Sequence, residues 1–266
     1  MLDLEFAQAS DVGRVRGHNE DYLGYVLPEA PDREQTHGWL FALADGVGGQ
    51  AKGEVASRTA VETLLGGFRK AGRGEQLRSL LPRLVQAANE KVFETGMAGS
   101  PGGVAMATTL VACALRFDRA VVSHVGDSRC YSIRHGQATA LTRDHTVVAE
   151  QARLGMISAR KAAESEARHK LTRSLGQAMF VGVETRDHFV VNGDVLLLCS
   201  DGLHGAIPAG EMADIVTRNT DLKAAARELI DTANERDGRD NVSVQLIRIR
   251  SVERVGMYRG RPYKLA

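Results

Sequence analysis

The chain has 266 residues, 43% of them hydrophobic, enough for a substantial buried core in one large domain or two small ones. Its 34 basic and 33 acidic residues leave a formal charge of +1, which excludes a protein-wide field drawing it to nucleic acid or an anionic membrane. Any electrostatic function must be local.

Met1 to Gly13 carry no basic stretch followed by an apolar one, and no run approaches the roughly 18 apolar residues of a membrane span, so a cytoplasmic, unexported protein is expected. Arg16-Gly17-His18-Asn19-Glu20-Asp21 then places a guanidinium a few residues ahead of two acids. Arginine offers phosphate a planar fork of donors, and the acids could hold metal beside it; a surface ion pair of little value is the plainer reading.

Trp39–Ala44 is short, apolar and closed by Asp45, as a strand is, and Gly53–Phe68 follows as a helix with Val55, Thr59, Leu64 and Phe68 at helical spacing. Between them Gly46-Val47-Gly48-Gly49-Gln50-Ala51 fits the weak dinucleotide pattern G-x-G-x-x-A, while Lys52-Gly53-Glu54 breaks the Walker pattern. Ser79–Phe93 keeps helical period through Leu80, Leu81, Leu84, Ala88 and Val92, with Pro82 tolerable only near the first turn.

Thr108–Arg116 and Ala120–Val125 are strands separated only by Phe117-Asp118-Arg119, as in an antiparallel hairpin. That hairpin argues against a doubly wound parallel sheet and the dinucleotide reading with it; helices packed outside antiparallel sheets fit better. His145–Gly176 is polar, helix-prone around Ser158–His169 and lacks an apolar stripe, so it reads as a surface excursion. Val195–Ser200 is a strand, Asp221–Asn234 a helix, and Asp237-Gly238-Arg239-Asp240 a turn into the last strand, Asn241–Ile249. Cys113, Cys130 and Cys199 are far apart, without CxxC pairing, and read as reduced core residues. No repeat or linker divides the chain, so a single domain is expected.

The acids fall in a pattern. Asp45 and Asp201 directly follow apolar strands, Asp127 comes two residues after another, and Asp240 precedes the last. If that last strand runs antiparallel to the others, four carboxylates meet at one sheet edge. Gathered carboxylates raise one another's pKa unless a cation compensates them, and an all-oxygen set favours Mg²⁺ or Mn²⁺ over Zn²⁺. Singly, each is a common turn or cap residue. Together, with Gly46, Gly126 and Gly202 beside three of them, they point to a multi-ion site.

These residues resemble the blocks of the PP2C/PPM metal-dependent protein phosphatases, especially compact bacterial members. Arg16 to Asp21 resembles the family's opening Arg-x-x-Asn-(Gln/Glu)-Asp, and Asp45-Gly46-Val47-Gly48-Gly49 its Asp-Gly-x-Gly-Gly loop. Thr108-Thr109-Leu110, Val125-Gly126-Asp127-Ser128-Arg129, Leu171-Thr172-Arg173-Ser174-Leu175-Gly176, Ser200-Asp201-Gly202-Leu203 and Arg239-Asp240-Asn241-Val242-Ser243 resemble later blocks, in order. The resemblance implies an α+β fold: a four-layer α-β-β-α sandwich of two packed, mainly antiparallel sheets flanked by helices. It implies a phosphatase domain over 1–250, with 145–176 as a flap and 251–266 as a short basic extension.

It also implies hydrolysis of phosphoserine and phosphothreonine in proteins, with Mn²⁺ or Mg²⁺ as cofactor and a serine/threonine kinase as opposing partner. A monomer is expected, without nucleic acid or membrane insertion. By the resemblance Arg16 holds the substrate phosphate; Asp45 bridges two metals and Gly46 offers its carbonyl. Asp201 and Asp240 complete the first metal site, Glu20 and Asp21 serve the second, and Asp127 with Asp201 matches a third, weaker one. Val47 departs from many eukaryotic members, which carry a histidine there as proposed general acid. A catalytically silent phosphopeptide-binding module is the non-enzymatic alternative, and the intact acids argue against it. Among the histidines, His169, just ahead of the Leu171–Gly176 block, is the one singled out.

Overall fold

A computed structural model describes residues 2–28, 37–47, 52–98, 106–158, 161, 165–252, 255–258 and 261–264. Gly48, Gly49, Gln50 and Ala51 of the glycine loop, and Glu253, Arg254 and Arg259 of the tail, lie outside the described residues.

In chain order the strands are β1 (Leu2–Asp11), β2 (Asp21–Val26), β3 (Trp39–Asp45), β4 (Leu110–Arg116), β5 (Arg119–Val125), β6 (Arg129–Arg134), β7 (Gln137–Ala140), β8 (Glu184–Phe189), β9 (Val195–Cys199) and β10 (Val242–Val252). They form two five-stranded antiparallel sheets, ordered β1-β10-β9-β6-β7 and β2-β3-β4-β5-β8. Two short strands, Val255–Tyr258 and Arg261–Lys264, pair with each other beyond β10.

Three apolar clusters define four layers. Phe41, Leu43, Val111 and Cys113 of one sheet meet Cys130, Leu196, Leu198 and Ile247 of the other between the sheets. Helices α1 (Gly53–Arg69) and α2 (Leu77–Ala98) cover the second sheet, burying Ala60, Leu64, Phe68, Leu81 and Val85. On the outer face of the first sheet lie α5 (Ala209–Arg218) and α6 (Leu222–Arg236), with Met212, Val216, Leu229 and Ala233 buried. Alternation of strand side chains explains the arrangement: Leu40, Ala42 and Ala44 of β3 face the helices while Phe41 and Leu43 face the other sheet. This is the expected α-β-β-α sandwich.

The elements depart from the sequence reading where the apolar signal is weak. The α2 helix starts at Leu77, two residues early, which puts Pro82 in its second turn; the ring costs the bond to the Arg78 carbonyl, and buried Leu80, Leu81 and Leu84 hold the turn. In the excursion a helix the sequence reading did not give, α3 (Val147–Arg153), precedes the helix-prone stretch Ser158–His169, in which Lys161 is helical. Thr146 caps α3 by accepting from the Ala149 amide at 3.2 Å, and Val148 anchors it. A 3₁₀ turn spans Glu166–His169, and residues 159–160 and 162–164 lie outside the described residues. All three cysteines are free and buried. Among the described residues, no helix is long and apolar enough to cross a membrane.

Candidate metal centre

Strand directions bring the acids together. β2 runs against β3 with Asp21 opposite Asp45, so the start of one strand meets the end of the other. β10 runs against β9, placing Asp240 and Asn241 beside Ser200 and Asp201. Asp127 sits in the link from β5 to β6, where the chain leaves one sheet for the other. Gly126 makes that crossing possible: its φ is +105°, and a Cβ there would lie 2.6 Å from Thr109 Cβ. The site therefore lies across the end of the sandwich, with both sheets contributing.

Hydroxyl and amide groups fix the carboxylates. The Asp45 peptide is held on both sides, its N–H donating to Thr109 Oγ1 (3.0 Å) and its carbonyl accepting from Thr109 N and Thr108 Oγ1 (2.8 Å each). Ser200 occupies the N-cap position of the short helix α4 (Asp201–His204), yet its hydroxyl makes no cap bond. It donates instead to Asp21 Oδ2 at 2.8 Å and accepts from Ser243 N at 3.0 Å. Asn241 ties three segments: its side-chain amide donates to the Val12 and His18 carbonyls, and its Oδ1 accepts from Glu20 N. Two histidines clamp the Asp127 link. His145 N donates to Gly126 O at 3.0 Å while its Nδ1 accepts from Gly126 N at 3.2 Å, and His204 Nε2 donates to Asp127 O at 2.9 Å.

Burial and mutual repulsion make Asp21, Asp45 and Asp127 hold protons more tightly than a free carboxyl does. Burial pushes Asp21 up to about 7, with Asp201 and Asp240 adding to the rise against the Ser243 and Ser200 hydrogen bonds. Asp127 is pushed to about 8 by burial and then by Asp201 and Asp144. Asp45 lies well above the carboxylate range, through burial and the charges of Asp21, Asp201, Asp127 and Asp240. Burial would raise Asp201 too, but the His169 hydrogen bond, the His204 and His169 charges and a hydrogen bond from Asp45 hold it below the ordinary value. Among the described residues, Asp21 Oδ1 is buried without a hydrogen-bond partner. A cluster of desolvated oxygen donors with one orphaned carboxylate oxygen fits a hard divalent cation.

The remaining predicted residues are at the same edge. Glu20 lies against Gly46, whose N–H donates to the Glu20 carbonyl at 3.1 Å, and its carboxylate groups with those of Glu54 and with the His18 ring within 4.8 Å. Asp240 is half exposed and accepts from Arg16 Nη2 at 2.8 Å, so the predicted phosphate-binding guanidinium sits on an acid of the centre. His169 Nδ1 donates to Asp201 Oδ2 at 3.0 Å, and Asp127, His169 and Asp201 present ligand atoms within 4.8 Å. The residues that sequence reasoning left out are the holders Thr109, Ser200, Ser243, Asn241, His145 and His204. Only the blocks around Thr108-Thr109, Ser200–Leu203 and Asp240–Ser243 hinted at them.

Comparison with known proteins settles the family. The protein phosphatase 2C family matches residues 18–247. This chain belongs to that family. It is 35% identical over 263 residues to the serine/threonine phosphatase stp of Listeria innocua, a match covering 95% of this chain and 96% of the relative. The Streptococcus agalactiae serine/threonine phosphatase superposes with a TM-score of 0.84 at 31% identity, over 93% of this chain and 100% of that one. The catalytic domain of the phosphatase PstP, solved with two manganese ions, does so with a TM-score of 0.79 at 31% identity, over 94% and 100%.

Proposed function

We propose that this PP2C-family chain is a cytoplasmic, monomeric enzyme that hydrolyses phosphoserine and phosphothreonine esters in proteins, opposing a serine/threonine kinase. The observation that carries it is the convergence of Asp21, Asp45, Asp127, Asp201 and Asp240 from both sheets, with the carboxyls of Asp21, Asp45 and Asp127 raised by burial and one Asp21 oxygen orphaned. Asp45, Gly46, Asp201 and Asp240 would hold one Mn²⁺ or Mg²⁺, with Asp45 shared by a second beside Glu20 and Asp21, and Asp127 with Asp201 a third. We assign residues 1–250 to the phosphatase domain, 145–176 to a flap beside the centre, and 251–266 to a basic extension.

Bound divalent ions supply positive charge against a phosphate dianion and make water easier to deprotonate. The chain's own residues set the geometry. Thr108 and Thr109 hold the Asp45 peptide, Ser200 and Ser243 aim Asp21, and the histidine clamp fixes Asp127. Asp240 keeps the Arg16 fork at the rim, where a phosphate oxygen competes for the same donors. Arg16→Ala is expected to raise KM for phosphate esters with manganese binding unchanged. The reading is tested by phosphate release from phosphoserine, phosphothreonine and phosphotyrosine peptides. Release from the first two with Mn²⁺, lost on chelation, is expected; release that survives chelation refutes it.

A further inference from the structure

Beside the centre, a cavity of about 440 Å³ opens between α3 and the link carrying Asp127. Its lining includes Asp127 and His169, which group with Asp201 of the acid cluster, so it adjoins that cluster. One wall is apolar, made by Val148, Ala149 and Ala152 of α3. Among the charged groups that line it, Arg129 makes a two-pronged ion pair with Asp144 at 2.7 and 2.8 Å, and Arg168 Nε donates to the His169 ring at 2.8 Å. A charged side chain entering this space would lose hydration beside the α3 wall and find Arg129 and Asp144 already paired with each other, whereas an apolar one gains that wall. Leu154 and Met156, 58% and 67% exposed, follow α3 directly in the chain.

We propose that this cavity is a substrate subsite that takes an uncharged, apolar side chain from the phosphoprotein segment flanking the phosphorylated residue. The proposal rests on the phosphatase reading above. A peptide whose phosphate sits among the acids must cross the neighbouring surface, and a cavity of this volume admits a leucine- or phenylalanine-sized group with room for its backbone. Polar-flanked substrates then bind through the phosphate alone.

The test uses the full chain with Mn²⁺ and a set of phosphothreonine peptides identical except for one flanking position, carrying Leu, Gly or Asp, moved stepwise along both sides. At one register Leu is expected to lower KM about tenfold relative to Gly and Asp. Equal KM values at every register overturn the subsite. Ala152→Phe, which fills the wall, is expected to remove the Leu advantage while the Gly peptide and p-nitrophenyl phosphate, too small to reach the cavity, stay within about twofold. Loss of the same size on all three substrates also overturns it. The peptide scan on the unaltered chain decides the matter if Ala152→Phe does not fold. Absence of metal-dependent release from p-nitrophenyl phosphate would instead strike the phosphatase reading itself, and the subsite with it.

Discussion

The two sides of the acid cluster are held by different means. Asp21, Asp45 and Asp201 take their positions from strand pairing: Asp21 faces Asp45 across the β2–β3 ladder, and Asp201 follows a strand locked to β10. Asp127 lies on a three-residue link between sheets, outside any ladder, and is placed by His145 and His204 side chains reaching in from the excursion and from α4. Main-chain pairing spreads its constraint over a whole strand. Side-chain clamping concentrates it in a few bonds that one substitution can remove.

The largest expected effect is therefore on the ladder side, in function and not in folding. Asp45→Ala should lower manganese-dependent phosphate release by at least about 10³-fold, since the site loses the carboxylate proposed to serve two ions. The chelated variant should melt no lower than the parent, because a carboxyl raised by burial and then by its acidic neighbours has been removed. Full activity at ordinary manganese concentration would end the assignment.

The same contrast has a pH signature in chelated protein. Asp21 and Asp127, raised from 3.8 to about 7 and about 8, bind protons more tightly folded than unfolded, so their contribution is complete below the unfolded value and is lost as pH rises through the folded ones. His145 and His204, lowered by burial from 6.5 to about 4, act oppositely, costing stability as pH falls below 6.5. The two effects oppose each other between about 4 and 6.5. Between about 6.5 and 8 those two histidines are neutral in both states, and His169, raised by its Asp201 hydrogen bond, adds to the carboxyl slope. Melting temperature in chelator should fall across that upper window, and Mn²⁺ should abolish the fall. A flat or rising profile in chelator contradicts it.

On the clamped side, His145→Ala removes the Nδ1 acceptor for Gly126 and the Nε2–H contact to Glu184 at 3.3 Å. Weaker manganese binding by about 10- to 100-fold is expected by calorimetry, as for other groups that orient a ligand. His145→Asn, whose Oδ1 can accept from Gly126, should recover part of it. Equal loss in both variants would make the role structural only.

The legibility of this molecule follows the same division. Asp45, Asp127, Asp201 and Asp240 were readable because each ends or begins an apolar strand, and the antiparallel return of the last strand put them on one edge. Edge strands β1, β2, β7 and β8 escaped because they are half polar: Glu5, Gln8 and Ser10 interrupt β1, and Glu184, Arg186 and Asp187 fill β8. The helix α5 escaped because its ten residues carry a short apolar face. Ser200, Ser243 and His204 could not be found by spacing, since a hydroxyl that holds a carboxylate across 179 residues, or an imidazole that holds a main-chain carbonyl across 77, leaves no local periodicity. His169 was visible only by its place ahead of a recognisable block.

The smallest effect isolates one such hidden holder. Ser200→Ala deletes the donor to Asp21 Oδ2 and the acceptor for Ser243 N, both buried. An ionised, buried Asp21 would make that loss severe. Because burial has already raised Asp21 to about 7, the carboxyl is largely protonated in mildly acidic solution and the missing hydroxyl costs only two ordinary hydrogen bonds, about 2 kcal/mol. Above pH 7 the carboxylate must form without its donor, so the penalty should grow. Denaturant titration of parent and variant in chelator at pH 6 and pH 8 measures both, and a penalty independent of pH would mean that Ser200 supports the β9–β10 ladder and not the Asp21 charge.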